Sequence, residues 1–372
     1  METIIKGIDG VEEAAEVIKR GGLVAFPTET VYGLGGNALD PEVARRIYAA
    51  KGRPSDNPLI VHVSSAEEAE PLVSVLSETA RRLMSRFWPG PLTLVLPKSE
   101  RVPYETTGGL DTVALRCPEN KCTLEFIRAC GLPIAGPSAN TSGKPSPTEA
   151  RHVYEDLQGR IEMILDDGEA SIGVESTILD LSGETPTLLR PGAVTAAELE
   201  SALGRSVVID PAVLSGSVGE GVHPKAPGMK YRHYAPKAKM TLVTTAFLRE
   251  KDFRVAESER VREDERIADF INEETEISVK AGNRVGILCC RETEELYRTG
   301  YGNIKVDIKL LGSREDPLSM THTLFRLLRE FDADAVDEIF AESYPERGVG
   351  FALMNRLRKA SGMREELLTE EE

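Results

Sequence analysis

Between Gly204 and Lys237 the chain carries Pro211, Gly216, Gly219, Gly221, Pro224, Pro227, Gly228 and Pro236. No helix or strand of ordinary length can run through such a density of breakers. This segment divides the 372 residues into two stretches, each long enough for a core of its own. Its second half, HPKAPGMKYRHYAPKA, is basic and aromatic, which a plain spacer does not require. The expectation is a folded unit over 1–205, a linker over 206–238 and a second unit over 239–365.

Upstream of that divide, short apolar runs alternate with amphipathic stretches. Val11, Ala14, Ala15 and Ile18 share one helical stripe, which predicts a helix over Val11–Arg20 ended by Gly21-Gly22. Pro41 opens a second helix, to Ala50. Leu23–Phe26, Leu59–Val63, Leu92–Leu96, Val113–Leu115, Thr177–Leu181 and Thr187–Leu189 read as short strands. Their spacing lacks the long, regular rhythm of a doubly wound sheet, so the expected fold is α/β, a twisted mixed sheet with flanking helices. Gly33–Gly36 (G-x-G-G) reads as a tight turn. Downstream, the runs Met240–Thr244, Arg284–Cys290 and Ala335–Ala341 alternate with helical patterns over Pro317–Phe331 and Gly350–Ser361. That spacing predicts a smaller parallel α/β sheet. The last residues, REELLTEEE, read as a frayed, solvated tail.

A net charge of −16 argues against a broad nucleic-acid platform, because the overall field repels polyanions. At most weak RNA binding is expected. The five cysteines include no C-x-x-C pair, so zinc and dithiol readings are weak and a reduced, cytoplasmic setting is expected. Glu2 and Asp9 do not fit a secretory leader, and no apolar run reaches the ~18 residues of a membrane span.

Chemistry-bearing residues concentrate in a few places. The segment FPTETVYGLGGNALDPEVARRIYAAKGRPSDNP matches neither a Walker loop nor a dinucleotide fingerprint. In its KGRPSDNP end, Lys51 and Arg53 stand beside Asn57 at a helix C-terminus. Two cations there suit a multiply charged anion, or simply complement the helix dipole. His62 lies in an apolar strand, where a histidine is ordinarily a satisfied core residue. Strand alternation puts Thr112, Ala114 and Arg116 on one face. An inward arginine needs an anionic partner, either a ligand carboxylate or a structural acid. In IAGPSANTSGKPSPT an apolar strand runs into Ser138, Asn140, Ser142 and Ser146, a composition suited to a site wall at strand ends or to an ordinary loop. Ser176 and Arg190 stand at strand termini.

Taken in order, PTETVYGLG, KGRPSDNPLIVHV, WPGPLTLVL, TVALRCP, GPSANTSGKPSPT, ESTILDL and LLRPG resemble the threonylcarbamoyl-AMP synthase family and its YrdC-like catalytic domain. The signature K-x-R…S-x-N is present as Lys51, Arg53, Ser138 and Asn140. His233–Pro236 and GVGFALMNRLRKASG resemble the linker and last helix of the two-domain form, which ends in a Rossmann-like domain. The resemblance implies that L-threonine, bicarbonate and ATP with Mg2+ give threonylcarbamoyl-AMP and pyrophosphate. The product then passes to a transferase that modifies tRNA. It further implies catalytic roles for Lys51 and Arg53, which join Asn57, Thr112, Ser138, Asn140, Ser146, Arg190 and Tyr234 in the ATP site. Asn140 is also expected to shape its loop. Thr30, His62, Arg116 and Ser176 would hold L-threonine. No metal ligated directly by protein is expected. Lys230, Tyr231, Arg232, His233 and Tyr234 would form a lid. The rival reading is a non-enzymatic RNA-binding module of the same fold. A carbamoyl-phosphate-using relative would be longer and richer in cysteine.

Overall fold

The computed structural model describes residues 2–216, 223–229, 233–249, 257–301 and 304–369. The chain separates into two compact units, Met1–Tyr231 and Arg232–Glu372.

The first unit is built on β1 (Ile4–Lys6), β2 (Val24–Phe26), β3 (Gly33–Asn37), β4 (Ile60–His62), β5 (Leu92–Pro97), β6 (Thr112–Arg116), β7 (Ile134–Ala135), β8 (Met163–Leu165), β9 (Thr177–Asp180), β10 (Thr187–Arg190) and β11 (Val208–Ile209). They join in one sheet in the order β1-β8-β2-β3-β7-β4-β6-β5-β9-β10-β11. The sheet is mixed, as expected: β4 runs parallel to β6 and β5 to β9, while β5 and β6 are antiparallel. The predicted stripe Val11, Ala14, Ala15, Ile18 is buried on the helix Val11–Lys19. It packs with Phe126 and Ile127 of the helix Lys121–Cys130 against Val24, Phe26 and Met163.

The helix Pro41–Lys51 is closed at both ends. The Asp40 side chain accepts from the amides of Glu42 and Val43, and Gly52 ends the helix in the left-handed region at φ 62°. That turn delivers Lys51 and Arg53 to one place. Against expectation, Gly33–Asn37 is a strand and not a turn, paired antiparallel to β2 with Phe26 opposite Gly33. The glycines here serve close packing: a Cβ on Gly36 would lie 2.4 Å from Cγ1 of Val43, and one on Gly33 would lie 2.6 Å from Cζ of Phe26. The expected linker 206–238 is divided. β11 pairs with β10, and Ala212, Ala226 and Met229 are buried with Ile60, Val95, Ala114, Ile178 and Leu189.

The second unit holds β12 (Lys239–Thr245), β13 (Val285–Cys289), the hairpin β14 (Gly300–Tyr301) and β15 (Ile304–Lys305), β16 (Asp307–Leu310), β17 (Glu338–Glu342) and β18 (Glu365–Leu368). Its main sheet is parallel in the order β16-β13-β17-β12-β18, matching the expected smaller parallel sheet. The tail departs from expectation: Glu365–Leu368 pairs with Leu242–Thr245, and Leu368 is buried among Val243, Leu248 and Ile267. Leu368 supplies the buried apolar side chain that a purely acidic tail would lack.

Candidate active site

β4 and β6 are adjacent and parallel, with His62 opposite Arg116. Both side chains are buried. Arg116 Nη1 donates to Oγ1 of Thr30 at 2.8 Å, and Nε donates to the Gly90 carbonyl at 3.3 Å. Its anionic partner is Glu29, whose Oε2 lies 2.8 Å from Nη2. The contact is an ion pair without hydrogen-bond alignment, since Nη2 and both Glu29 oxygens make no hydrogen bond. Thr28 Oγ1 lies 2.8 Å from Thr30 Oγ1 and donates to the Val31 carbonyl, fixing the TET corner. His62 meets Phe26 edge-on at 5.3 Å, and its Nδ1 has no hydrogen-bond partner. Burial, reinforced by the Arg116 charge, pushes its pKa down to about 3, so the imidazole is neutral at pH 7. Burial pushes the Cys117 thiol up to about 12, which leaves it a poor nucleophile.

Lys51 is buried, and its ammonium donates to the carbonyls of Ser138 and Asn140, the latter at 2.6 Å. These carbonyls orient the ammonium without cancelling its charge. Arg53 likewise donates to the carbonyls of Asn57 and Pro58, at 3.3 and 3.0 Å. The Asn57 Oδ1 atom is buried without a hydrogen bond. Asn140 Nδ2 donates to the carbonyls of Thr141 and Lys144, within its own loop. Backbone bonds from Tyr32 to Pro147 and from Ala139 to Tyr32 tie that loop to the TET corner.

Arg190 Nε donates to the Ser176 carbonyl at 2.9 Å and Nη2 to Ser176 Oγ at 3.1 Å, while Thr93 Oγ1 lies 2.7 Å from the same hydroxyl. Ser146 donates to the buried Glu175 carboxylate. The structure thus brings together Lys51 with Ser138 and Asn140, Arg53 with Asn57, Thr30 and His62 with Arg116, and Ser176 with Arg190. Thr112 lies at the opposite end of β6 from Arg116, about 13 Å away at ~3.3 Å per residue. Tyr234 falls in the second unit, where its ring stacks on Phe325 at 5.0 Å with the Arg356 guanidinium 5.7 Å away. Lys230, Tyr231 and Arg232 lie outside the described residues. Sequence reasoning missed Glu29, Thr93 and Glu175. The signal for Glu29 was an acid between two threonines at the end of an apolar strand.

Residues 16–192 match the family model Sua5_yciO_yrdC, described as telomere recombination, and residues 194–362 match the threonylcarbamoyl-AMP synthase C-terminal domain. Over 98% of its length the chain is 48% identical to a threonylcarbamoyl-AMP synthase of Pyrococcus abyssi, covering 99% of that protein. The chain belongs to the threonylcarbamoyl-AMP synthase family. Its similarity to the Bacillus subtilis threonylcarbamoyl-AMP synthase is 44% identity, over 95% of this chain and 93% of that one. The crystal structure of P. abyssi Sua5 complexed with L-threonine superposes with a TM-score of 0.82 at 45% identity, covering 99% of both chains. This member of the threonylcarbamoyl-AMP synthase family has a large mixed-sheet unit and a smaller parallel-sheet one.

Proposed function

We propose that this chain makes threonylcarbamoyl-AMP and pyrophosphate from L-threonine, bicarbonate and ATP, and that the buried Arg116 cluster is where it holds the amino acid. The observation that carries the reading is a guanidinium whose Nη2 makes no aligned hydrogen bond, flanked by Thr30 and neutral His62, in a family whose P. abyssi member binds L-threonine.

In this reading Arg116 pairs with the threonine carboxylate, and Thr30, His62 and Ser176 orient the rest of the molecule. The amine takes up bicarbonate-derived carbon to form a carbamate, which attacks the α-phosphate of ATP and expels pyrophosphate. Nearly all the help the protein can give is positional and electrostatic. Lys51 and Arg53 set positive charge against the phosphates. Asn57, Thr112, Ser138, Asn140, Ser146 and Arg190 line the nucleotide. The buried thiol of Cys117 agrees with a mechanism that has no covalent enzyme intermediate.

Among the described residues no group of three or more His, Cys, Asp or Glu side chains stands ready for a metal ion. Mg2+ is proposed to arrive on the nucleotide phosphates rather than in a protein cage. Bound there, the ion would neutralise triphosphate charge beside Lys51 and Arg53. Tyr234, with the adjoining residues 230–233, is proposed as a lid that keeps water from the mixed anhydride. Hand-off of the product to a tRNA-modifying transferase and a cytoplasmic location complete the reading. Among the described residues no helix is long and apolar enough to cross a membrane.

The test is pyrophosphate release from ATP, Mg2+ and bicarbonate, with and without L-threonine, using L-serine and glycine as controls. Threonine-dependent release that drops at least 100-fold in Lys51→Ala or Arg53→Ala supports the reading. No release with any amino acid, despite measurable ATP binding, sinks it, and salt-dependent tRNA binding would then favour an RNA-binding module.

A further inference from the structure

Glu29 is an acid in the Arg116 cluster that the scheme above leaves without a task. It is 6% exposed, and neither carboxylate oxygen makes a hydrogen bond. A buried carboxylate without directional partners is costly, and structural ion pairs ordinarily close with aligned N–H···O bonds. Here the 2.8 Å contact to Arg116 Nη2 is misaligned, whereas Nη1 and Nε of the same guanidinium are committed to Thr30 and Gly90. A positive and a negative group therefore stand side by side, each with hydrogen-bonding capacity in reserve. An α-amino acid carries a carboxylate and an ammonium on one carbon, and so offers the complementary pair of charges in a single molecule.

We propose that Glu29 holds the ammonium of the bound amino acid and accepts the proton lost when the amine becomes a carbamate. The proposal rests on the threonine-site reading of Arg116. The step balances: ammonium, bicarbonate and the Glu29 carboxylate give carbamate, water and the Glu29 carboxylic acid. One N–C bond forms, one C–O bond of bicarbonate breaks with water leaving, and the one net proton ends on Glu29. In a site with little water, transfer from ammonium to carboxylate replaces two charges by two neutral groups, which burial favours.

The other titratable and charged groups around the pair do not compete. The Arg116 guanidinium offers only N–H donors and no acceptor atom. His62, on the neighbouring strand, is pushed down to about 3 by burial, then by the Arg116 charge, and is a poor proton acceptor. Cys117 is pushed up to about 12, chiefly by burial, and Glu68 beyond it is bound to the Ser64 amide and hydroxyl.

The experiment uses the full chain and its isosteric variant Glu29→Gln, following threonine-dependent pyrophosphate release from pH 7 to 9.5. At pH 7 the folded variant should lose on the order of 10²–10³-fold in kcat/KM for threonine, with ATP affinity unchanged. The deficit should shrink as pH approaches the amine value of free threonine, roughly one unit above the ~8 of a peptide α-amine, because free amine then no longer needs the base. Glu29→Asp should recover part of the activity at pH 7. A Gln variant that matches wild type at pH 7, or a deficit constant across the range, overturns the proposal. A measurement on the wild type keeps the test open if Glu29→Gln does not fold. 2,3-Dihydroxybutanoate, with hydroxyl in place of amine, should bind at least tenfold more weakly than threonine; equal affinity overturns the proposal. No release by wild type would instead overturn the synthase reading beneath it.

Discussion

Replacing Gly36 by alanine should cost both stability and turnover, and the size of each follows from the packing of β3 on the helix Pro41–Lys51. The added Cβ would sit 2.4 Å from Cγ1 of Val43, 3.1 Å from Cδ1 of Ile47 and 3.2 Å from Cδ2 of Leu23. Ordinary carbon–carbon contact is about 3.6 Å, so the helix must back away by about 1 Å. Rotating Val43 gives little relief, because β-branched side chains in helices keep one rotamer. Overpacking of this kind costs about 1–3 kcal/mol, or about 2–12 °C in the unfolding of a unit of this size. Lys51 ends the same helix, and displacing a positioned group by about 1 Å can lower turnover on the order of 100-fold. Thermal unfolding followed by circular dichroism, together with pyrophosphate release, reads both effects. Adding Val43→Ala should return part of the lost Tm. A Gly36→Ala protein that melts within about 1 °C of wild type at full activity would refute the packing argument and restore the turn as the reason for the glycine.

Further outcomes can be checked alongside. His62 binds a proton far less readily folded than unfolded, so the stability it contributes is present above about pH 6.5 and is lost as pH falls toward 3. At 1.36 kcal/mol per pH unit the loss between pH 6.5 and 5 is about 2 kcal/mol; denaturant unfolding of His62→Asn should lack it, and equal slopes for both proteins would contradict the burial of a neutral imidazole. Ending the chain at Arg364 removes β18 and the buried Leu368, at a cost of about 1.5–3 kcal/mol for that side chain alone. Faster proteolysis within residues 233–364 should follow, and unchanged protection would mean that the strand contributes nothing.

The helices were legible because their signals are local: the apolar stripe from Val11 to Ile18, Asp40 and Pro41 at one helix start, Gly52 at its end. The strand positions were legible for the same reason. Their order was not, because pairs such as Ile4 with Met163 or Leu92 with Thr177 join residues far apart in the chain. Glycine-rich Gly33–Asn37 misled because composition records backbone freedom but not the neighbour, here Phe26 and Val43, that excludes a side chain. At the site, the need of Arg116 for an anion could be stated from strand alternation. Its partner Glu29, 87 positions upstream, could not be chosen from the acids available. Lys51 was read as a phosphate-facing cation; its bonds to Ser138 and Asn140 carbonyls depend on a loop whose path only the fold determines.

The two family regions meet at residues 192–194, but the first compact unit runs on to Tyr231. Ala212, Ala226 and Met229, inherited with the second region, complete the packing around Ile60 and Ala114, on the strands that carry His62 and Arg116. The two halves are therefore not independently exchangeable cassettes. A hybrid joined at residue 193 between distant relatives would mate foreign side chains to the strands that carry His62 and Arg116, whereas a join after Met229 would keep that surface under one lineage. A change of side-chain volume at Ala212, Ala226 or Met229 is thus felt at Ile60 and Ala114 of the first region.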